Sequence, residues 1–196
     1  MNYYNTYIMM NIPLVIGLTG LARCGKDTFC NYFRSYIKEK EGIDSVRLAF
    51  ADELKRDVDA FLLEKLNISA FTENTSEKEI IRPFLTTWGT EIMRKKDDLI
   101  WVKKLEKKMI QNKKNNIVSI ITDIRFPNEI NYIHKTGGKI IHLSMDGNKP
   151  ANDYERKYDP ILSKKSDFSV KWQKYGENSL DSCIIHVKEV FSQMGN

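Results

Sequence analysis

The sequence predicts an α/β fold of three layers, with helices on both faces of a mostly parallel central sheet. Three observations carry this. Apolar runs at residues 13–18, 46–50, 117–122 and 139–143 have the length and composition of buried strands. Longer segments with helical spacing separate them, so strand and helix alternate along the chain. The first run leads into a glycine-bearing turn, Gly20 to Thr28, reading GLARCGKDT, and that turn opens a helical pattern. With 196 residues, 41% of them apolar, one compact domain with a mobile lobe or two is the natural size.

In order, residues 1–11 read as a loose extension, with Met9 or Met10 as an alternative start. Residues 13–18 form the first strand. Phe29, Tyr32, Phe33, Tyr36 and Ile37 recur at helical spacing, and Gly42 ends that helix. Residues 46–50 form a second strand, followed by a helix from Ala51 or Asp52 to about Leu66. Ser76 with Glu79 makes a capping-box signature for a helix running through Met93. Asp97 and Asp98 break the pattern. Trp101, Leu105, Met109 and Ile110 then share one face of another helix, whose lysines form a solvated face.

Residues 117–122 are the third strand. Pro127 opens a short helix at its favoured first-turn position, and Gly137 and Gly138 close it. Residues 139–143 are the fourth strand. Residues 146–165 have few periodic apolar positions and read as a charge-rich flexible lobe. A weaker fifth strand at 168–172 and a closing helix at 179–194 complete the chain. In such a sheet, ligands sit at the strand C-terminal ends.

The turn fits G-x-x-x-x-G-K set between a buried strand and a helix, the sequence form of a phosphate-binding loop. Gly20 and Gly25 let the backbone turn its N–H groups inward on an anion. The following helix points its positive end at the same place, and Lys26 adds a cation that reaches terminal phosphates. The plain alternative is an ordinary strand–helix turn. The strict motif has Ser or Thr at position 27. Here Asp27 stands there and Thr28 supplies a hydroxyl one residue later, so either can serve the metal's water shell. Cys24 lies inside the loop, and a bulky thiol reagent is expected to inactivate the protein.

Net charge is +5, from 31 basic and 26 acidic residues, which suits a basic cleft for a small polyanion better than a nucleic-acid groove. The three cysteines show no paired spacing, as expected for a reducing cytoplasm. The three histidines have no ligand spacing for zinc. The N-terminal apolar run is too short and too rich in Gly and Pro for a membrane span.

Asp123 follows the third strand, where a carboxylate faces the loop and can order magnesium through water. Its alternative is a helix cap before Pro127. Arg125 points into the same crevice, where a guanidinium fork matches phosphate oxygens. Glu129 stands one turn on, either as an acceptor for sugar or base or as a surface residue. In residues 82–101, Arg82 and Arg94 bracket Gly89 and Thr90. A mid-helix glycine costs about 1 kcal/mol against alanine, so Gly89 marks close approach to a ligand or to a neighbouring helix. Trp88 and Trp101 are more often core than base-stacking platforms.

GLARCGKDT, FADELK, RPFLTTWGTEIMR with Trp101 beyond it, TDIRFPNE and GGKIIHL occur in that order. Over residues 13–145 this succession resembles the phage- and virus-type deoxynucleoside monophosphate kinases, a branch of the P-loop nucleoside monophosphate kinases. The resemblance implies a three-layer P-loop NTPase fold in one domain, residues 1–196. Within it, an acceptor-binding region would span about 51–100 and a lid about 146–166. ATP would be the phosphoryl donor, Mg2+ the helper and a deoxynucleoside monophosphate the acceptor. It also implies a cytoplasmic protein (in the host cytoplasm if viral), with no nucleic acid or membrane partner and a homodimer as the assembly.

Carried over by position, Gly20, Arg23, Cys24, Gly25, Lys26, Asp27 and Thr28 would hold the ATP phosphates. Leu54, Lys55, Arg82, Gly89, Thr90 and Trp101 would frame the acceptor, with Asp123, Arg125 and Glu129 completing it. Lys26, Arg82, Arg125 and Asp123 would be catalytic, and Asp27, Thr28 and Asp123 would serve the metal through water. The match fades after Leu143. The family's strand-end arginine and its histidine–glutamate pair in the lid are replaced here by Met145 and by Asp153 to Arg156. Another P-loop small-molecule kinase, such as a phosphomevalonate-type kinase sharing a GKD loop, is one alternative. A non-catalytic nucleotide-binding protein and a nucleic-acid-dependent ATPase are others.

Overall fold

A computed structural model describes residues 12–172 and 179–194, and the expected N-terminal extension lies outside the described residues. Five strands form one sheet in the order β2-β3-β1-β4-β5, every neighbouring pair parallel. They are β1 (Val15–Thr19), β2 (Ser45–Leu48), β3 (Val118–Ile124), β4 (Lys139–Met145) and β5 (Phe168–Trp172). β1 lies at the centre, all five of its residues buried, which is why its run shows no polar alternation.

Helices cover both faces. One core joins β1 and β5 to α1 (Lys26–Glu41) and α8 (Ser179–Met194) through Phe29, Phe33, Ile37, Val187 and Val190. The second packs α2 (Phe50–Leu66), α5 (Ile100–Lys114), α6 (Pro127–Lys135) and α7 (Asp153–Lys165) on the other face. Phe50, Leu105, Ile130 and Leu162 lie at its centre. Among the described residues no helix is long and apolar enough to cross a membrane.

Four local departures from the sequence reading matter for the site. α3 (Thr75–Thr86) is capped by Asn74, whose side chain accepts from the Ser76 and Glu77 amides, so Ser76 is inside the helix. Asn leads the N-cap ranking and wins the position. α3 then runs on without a break as a π-helical turn, Thr87–Met93, and a final short turn, α4 (Arg94–Lys96). On α5, Lys104 and Lys108 bind Asp57 and Glu53 of α2 instead of facing only water.

The fourth is the expected flexible lobe, which contains the 13-residue helix α7. Asn152 caps it, accepting from the Glu155 amide at 2.9 Å, and Asp153 and Glu155 place acid at its positive end. Leu162 is buried and Tyr158 packs beside it, which offsets the hydrogen bond lost at Pro160.

Candidate active site

The loop between β1 and α1 lies at the C-terminal end of the central strand. Gly25 occupies the N-cap of α1 at φ 84°, and no side chain caps that helix, so its first amides remain available to an anion. Both glycines are dictated from below as well as from the ligand side. A Cβ on Gly20 would stand 2.0 Å from the Leu143 carbonyl oxygen, and one on Gly25 would stand 2.4 Å from the Trp172 ring. Trp172 also donates its indole N–H to the Cys24 carbonyl at 2.9 Å. The last residue of β5 is thus the floor of the loop.

Lys26 is buried, with Nζ donating to the carbonyls of Gly20 (3.0 Å) and Leu21 (2.7 Å) and lying 3.6 Å from Cys24 Sγ. Burial lowers its ammonium below the ordinary lysine range. The Cys24 thiol is fully buried, and burial raises it above the ordinary thiol range. This burial runs against the expected inactivation by a bulky thiol reagent: the thiol is closed off from solvent and its sulfur accepts from Lys26. Arg23 is exposed at φ 62°. Asp27 is exposed and accepts from Arg47 at 3.2 Å.

Beside the loop opens a cavity of about 410 Å³ between α2, the π-helical turn, the start of α6 and α7. All ten residues Gly20, Leu54, Lys55, Arg82, Gly89, Thr90, Trp101, Asp123, Arg125 and Glu129 line it, although they come from six separate stretches of sequence. Arg23, Cys24, Gly25, Lys26, Asp27 and Thr28 belong to the adjoining loop and helix start and do not line it.

Several of these side chains have jobs within the protein. Asp123 stands inside the end of β3, not after it, and accepts from the Phe50 and Ala51 amides at 2.8 Å each. It therefore caps α2, whose own N-cap residue Ala49 offers no side chain, and not the helix at Pro127. Burial raises its carboxyl above the ordinary range against the pull of those amides.

Glu129 is buried. One oxygen takes the Arg94 guanidinium at 2.7 Å; the other takes the Arg125 and Phe126 amides at 2.8 and 3.0 Å. The alternative of a surface glutamate is corrected: Glu129 is buried, both of its oxygens accept hydrogen bonds within the protein, and it lines the cavity. Burial pushes its carboxyl up to about 7, with Arg94 the main counter-pull.

Gly89 is buried against α2, where a Cβ would stand 3.1 Å from Leu54, so its close approach is to a neighbouring helix. The π-helical turn displaces carbonyls from the ordinary ladder, and the Gly89 carbonyl accepts the Trp101 indole N–H at 3.1 Å. Trp101 is 4% exposed and is core as well as cavity wall. Lys55 lies over the Phe71 ring, and Arg82 stands exposed at the rim.

Four further residues shape the site. Phe126 carries Arg94 over its face at 3.7 Å and meets Tyr154 and Tyr158 edge-on at 6.1 and 5.2 Å. Tyr154 also donates to Glu91 of the π-helical turn, joining α7 to the acceptor side. Glu155 is 9% exposed and binds Arg125 and the Ala22 amide. The Asn152-x-x-Glu155 spacing is a capping signature that locates the helix start, and with it this pair of tyrosines and the glutamate.

Among the described residues no three His, Cys, Asp or Glu side chains cluster as a metal site. Asp27, Thr28 and Asp123 offer a few hard oxygens only. That donor set fits magnesium, which keeps most of its waters and takes the rest of its ligands from phosphates.

The model of the phosphomevalonate kinase family matches residues 18–139, more than half of the chain. The chain belongs to the phosphomevalonate kinase family. It is a P-loop kinase, a phosphotransferase acting on a small molecule. The match names the alternative that shares a GKD loop, and it does not name the deoxynucleoside monophosphate kinases.

Among solved structures, dephospho-CoA kinase from Campylobacter jejuni is 17% identical, covering 92% of this chain and 98% of that chain with a TM-score of 0.48. Shikimate kinase from Bacteroides thetaiotaomicron is 13% identical, covering 91% and 98%, with a TM-score of 0.48. The APS kinase CysC from Mycobacterium tuberculosis is 12% identical, covering 93% and 97%, with a TM-score of 0.43. No curated protein matches the chain in sequence.

Proposed function

We propose that the protein transfers the γ-phosphoryl group of ATP to the 5′-phosphate of a deoxynucleoside monophosphate, giving the diphosphate and ADP. The observation that carries this reading is the cavity lining. Trp101, Phe126, Tyr154 and Tyr158 bring aromatic surface, while Lys55, Arg82 and Arg125 bring cations to the same space. A planar base with a phosphate at one end matches that combination.

In this reading the donor's phosphates lie against the amides at the start of α1, with Lys26 beside them. The acceptor's phosphate meets Arg125, whose amide is held by Glu129 and whose guanidinium is held by Glu155. An ionised phosphate oxygen is already a nucleophile at neutral pH, so the protein's work is in-line placement and neutralisation of spreading charge. Asp27, Thr28 and, through water, Asp123 would hold magnesium, which would supply part of that neutralisation. α7 stands over the cavity and excludes water as a competing acceptor.

A second reading keeps the chemistry and changes the acceptor to phosphomevalonate, also a phosphate monoester, and the family match favours it. One experiment separates them: ADP release measured with ATP and magnesium across the common ribo- and deoxyribonucleoside monophosphates and phosphomevalonate. Turnover with deoxynucleotides supports the first reading. Turnover with phosphomevalonate alone overturns it. Binding without ADP release from any acceptor overturns both.

A further inference from the structure

We propose that the Glu155 carboxylate is a built-in occupant of the acceptor's phosphate subsite, a latch that holds α7 over the cavity and yields to a phosphate monoester. The inference rests on the reading that Arg125 faces the acceptor's phosphate.

Glu155 accepts from three donors: the Ala22 amide at 3.0 Å, the Ala151 amide at 2.9 Å and the Arg125 guanidinium. A backbone amide from a phosphate loop beside a guanidinium is a donor set that recognises phosphate oxygens. Its aim is fixed from both sides. Asn148 donates to the Ala22 carbonyl at 3.2 Å, and Arg125 Nη1 also lies 3.5 Å from the Gly20 carbonyl. The site is therefore at the junction of loop and cavity, where a transferred group must pass.

A carboxylate brings one charge and two oxygens; a phosphate monoester brings up to two charges and three oxygens. The phosphate is the stronger partner for the same donors, but it must displace an occupant that is covalently part of α7. Tyr154 and Tyr158 belong to that helix, so release of Glu155 also frees the aromatic wall. Phosphate recognition and the fit of the rest of the acceptor are thereby coupled through one helix.

The test is calorimetric titration of inorganic phosphate into the full chain, with the donor loop saturated by ADP and magnesium. Glu155→Gln removes the charge and keeps one oxygen, enough for one of the two amides that Glu155 accepts from on separate oxygens. Phosphate should therefore bind about tenfold more tightly, as when a closed state populated about nine parts in ten is released. Asp153→Asn removes a neighbouring charge of the same helix and should leave affinity unchanged. Thermal unfolding verifies that each variant folds. Glu155→Asp, with its carboxylate withdrawn by one methylene, should show part of the gain and serves if the Gln variant does not fold.

Unchanged or weaker binding in Glu155→Gln overturns the latch. If Arg125→Ala then abolishes phosphate binding, the acceptor reading still stands. Equal tightening in Asp153→Asn reduces the effect to general electrostatics and overturns the latch as well. No phosphate binding by wild type or by Glu155→Gln overturns both latch and acceptor reading.

Discussion

On the loop side of the cavity the backbone supplies the recognition surface, and the groups beneath it, Leu143 and Trp172, leave no space for any residue but glycine at two positions. On the opposite side, between α2, the π-helical turn and α7, side chains supply it through ion pairs and aromatic edges. The first wall suits what is invariant in the chemistry, a chain of phosphates. The second can be retuned by substitution without disturbing the sheet. A kinase built this way can keep its donor site while its acceptor changes.

Lys26→Ala should have the largest effect. Loss of a preorganised charge at the transferring group is expected to lower turnover about 10³-fold, with the cooperative unfolding transition retained. A coupled ADP-release assay reads the first and circular dichroism the second. Full activity would remove the loop from the chemistry and reverse the contrast between the walls.

Next comes Arg94→Met, which breaks the buried pair with Glu129 and strands a carboxylate (side-chain exposures 9% and 3%). A loss of about 3 kcal/mol in urea unfolding at neutral pH is expected. The pH dependence carries its own sign. Burial lifts the folded-state Glu129 carboxyl from 4.5 to about 7. Stability tied to its bound proton is thus complete below pH 4.5 and is lost as pH rises through 7. Without Arg94 that loss steepens, so the variant should lie nearer wild type at pH 5 than at pH 8. A deficit constant across that range would mean that the pair's charge is not what the wall depends on.

Gly25→Ala sharpens the comparison from the loop side, with Gly42→Ala as its control. Both glycines have positive φ, 84° and 67°, but a Cβ at Gly42 meets nothing within 4 Å. The strain of the left-handed backbone is common to both, about 1 kcal/mol. Only Gly25 adds the collision with Trp172, so it should cost about 2 kcal/mol in all and also loosen nucleotide binding. Equal costs at the two positions would show that Trp172 gives way and that the floor is soft.

The two walls also differ in how far the sequence discloses them. Gly20, Gly25 and Lys26 are legible because a backbone-built site needs specific residues at fixed spacing within one short segment. The parallel sheet is legible for a similar reason, since runs such as Val118 to Thr122 are buried on both faces. The far wall is assembled across the chain. Asp123 can be read as a cap, but which helix it caps depends on β3 ending beside Phe50 and Ala51 in space. Glu129 looks like a surface glutamate until Arg94, thirty-five residues away, is placed against it. α7 hides because Tyr158 and Leu162 are its main inward anchors among charged neighbours and Pro160, too few to set a helical period. The π-helical turn leaves no mark beyond Gly89, whose carbonyl is satisfied by Trp101.

The smallest expected effect tests the seam where α7 meets the acceptor side. Tyr154→Phe keeps the ring that meets Phe126 edge-on and deletes only the hydroxyl that donates to Glu91. Tyr154 is 39% exposed and the Glu91 side chain 40%, so water replaces much of the lost bond and stability should scarcely move. The hydroxyl ties α7 to the π-helical turn, in the position that the Glu155 latch holds. Its loss should loosen the latch and lower KM for the acceptor about two- to fivefold, while KM for ATP and the turnover number at saturation stay as they were. An equal fall in both KM values would mean that α7 serves the donor loop through Glu155 as much as it serves the acceptor. The two walls would then work as one.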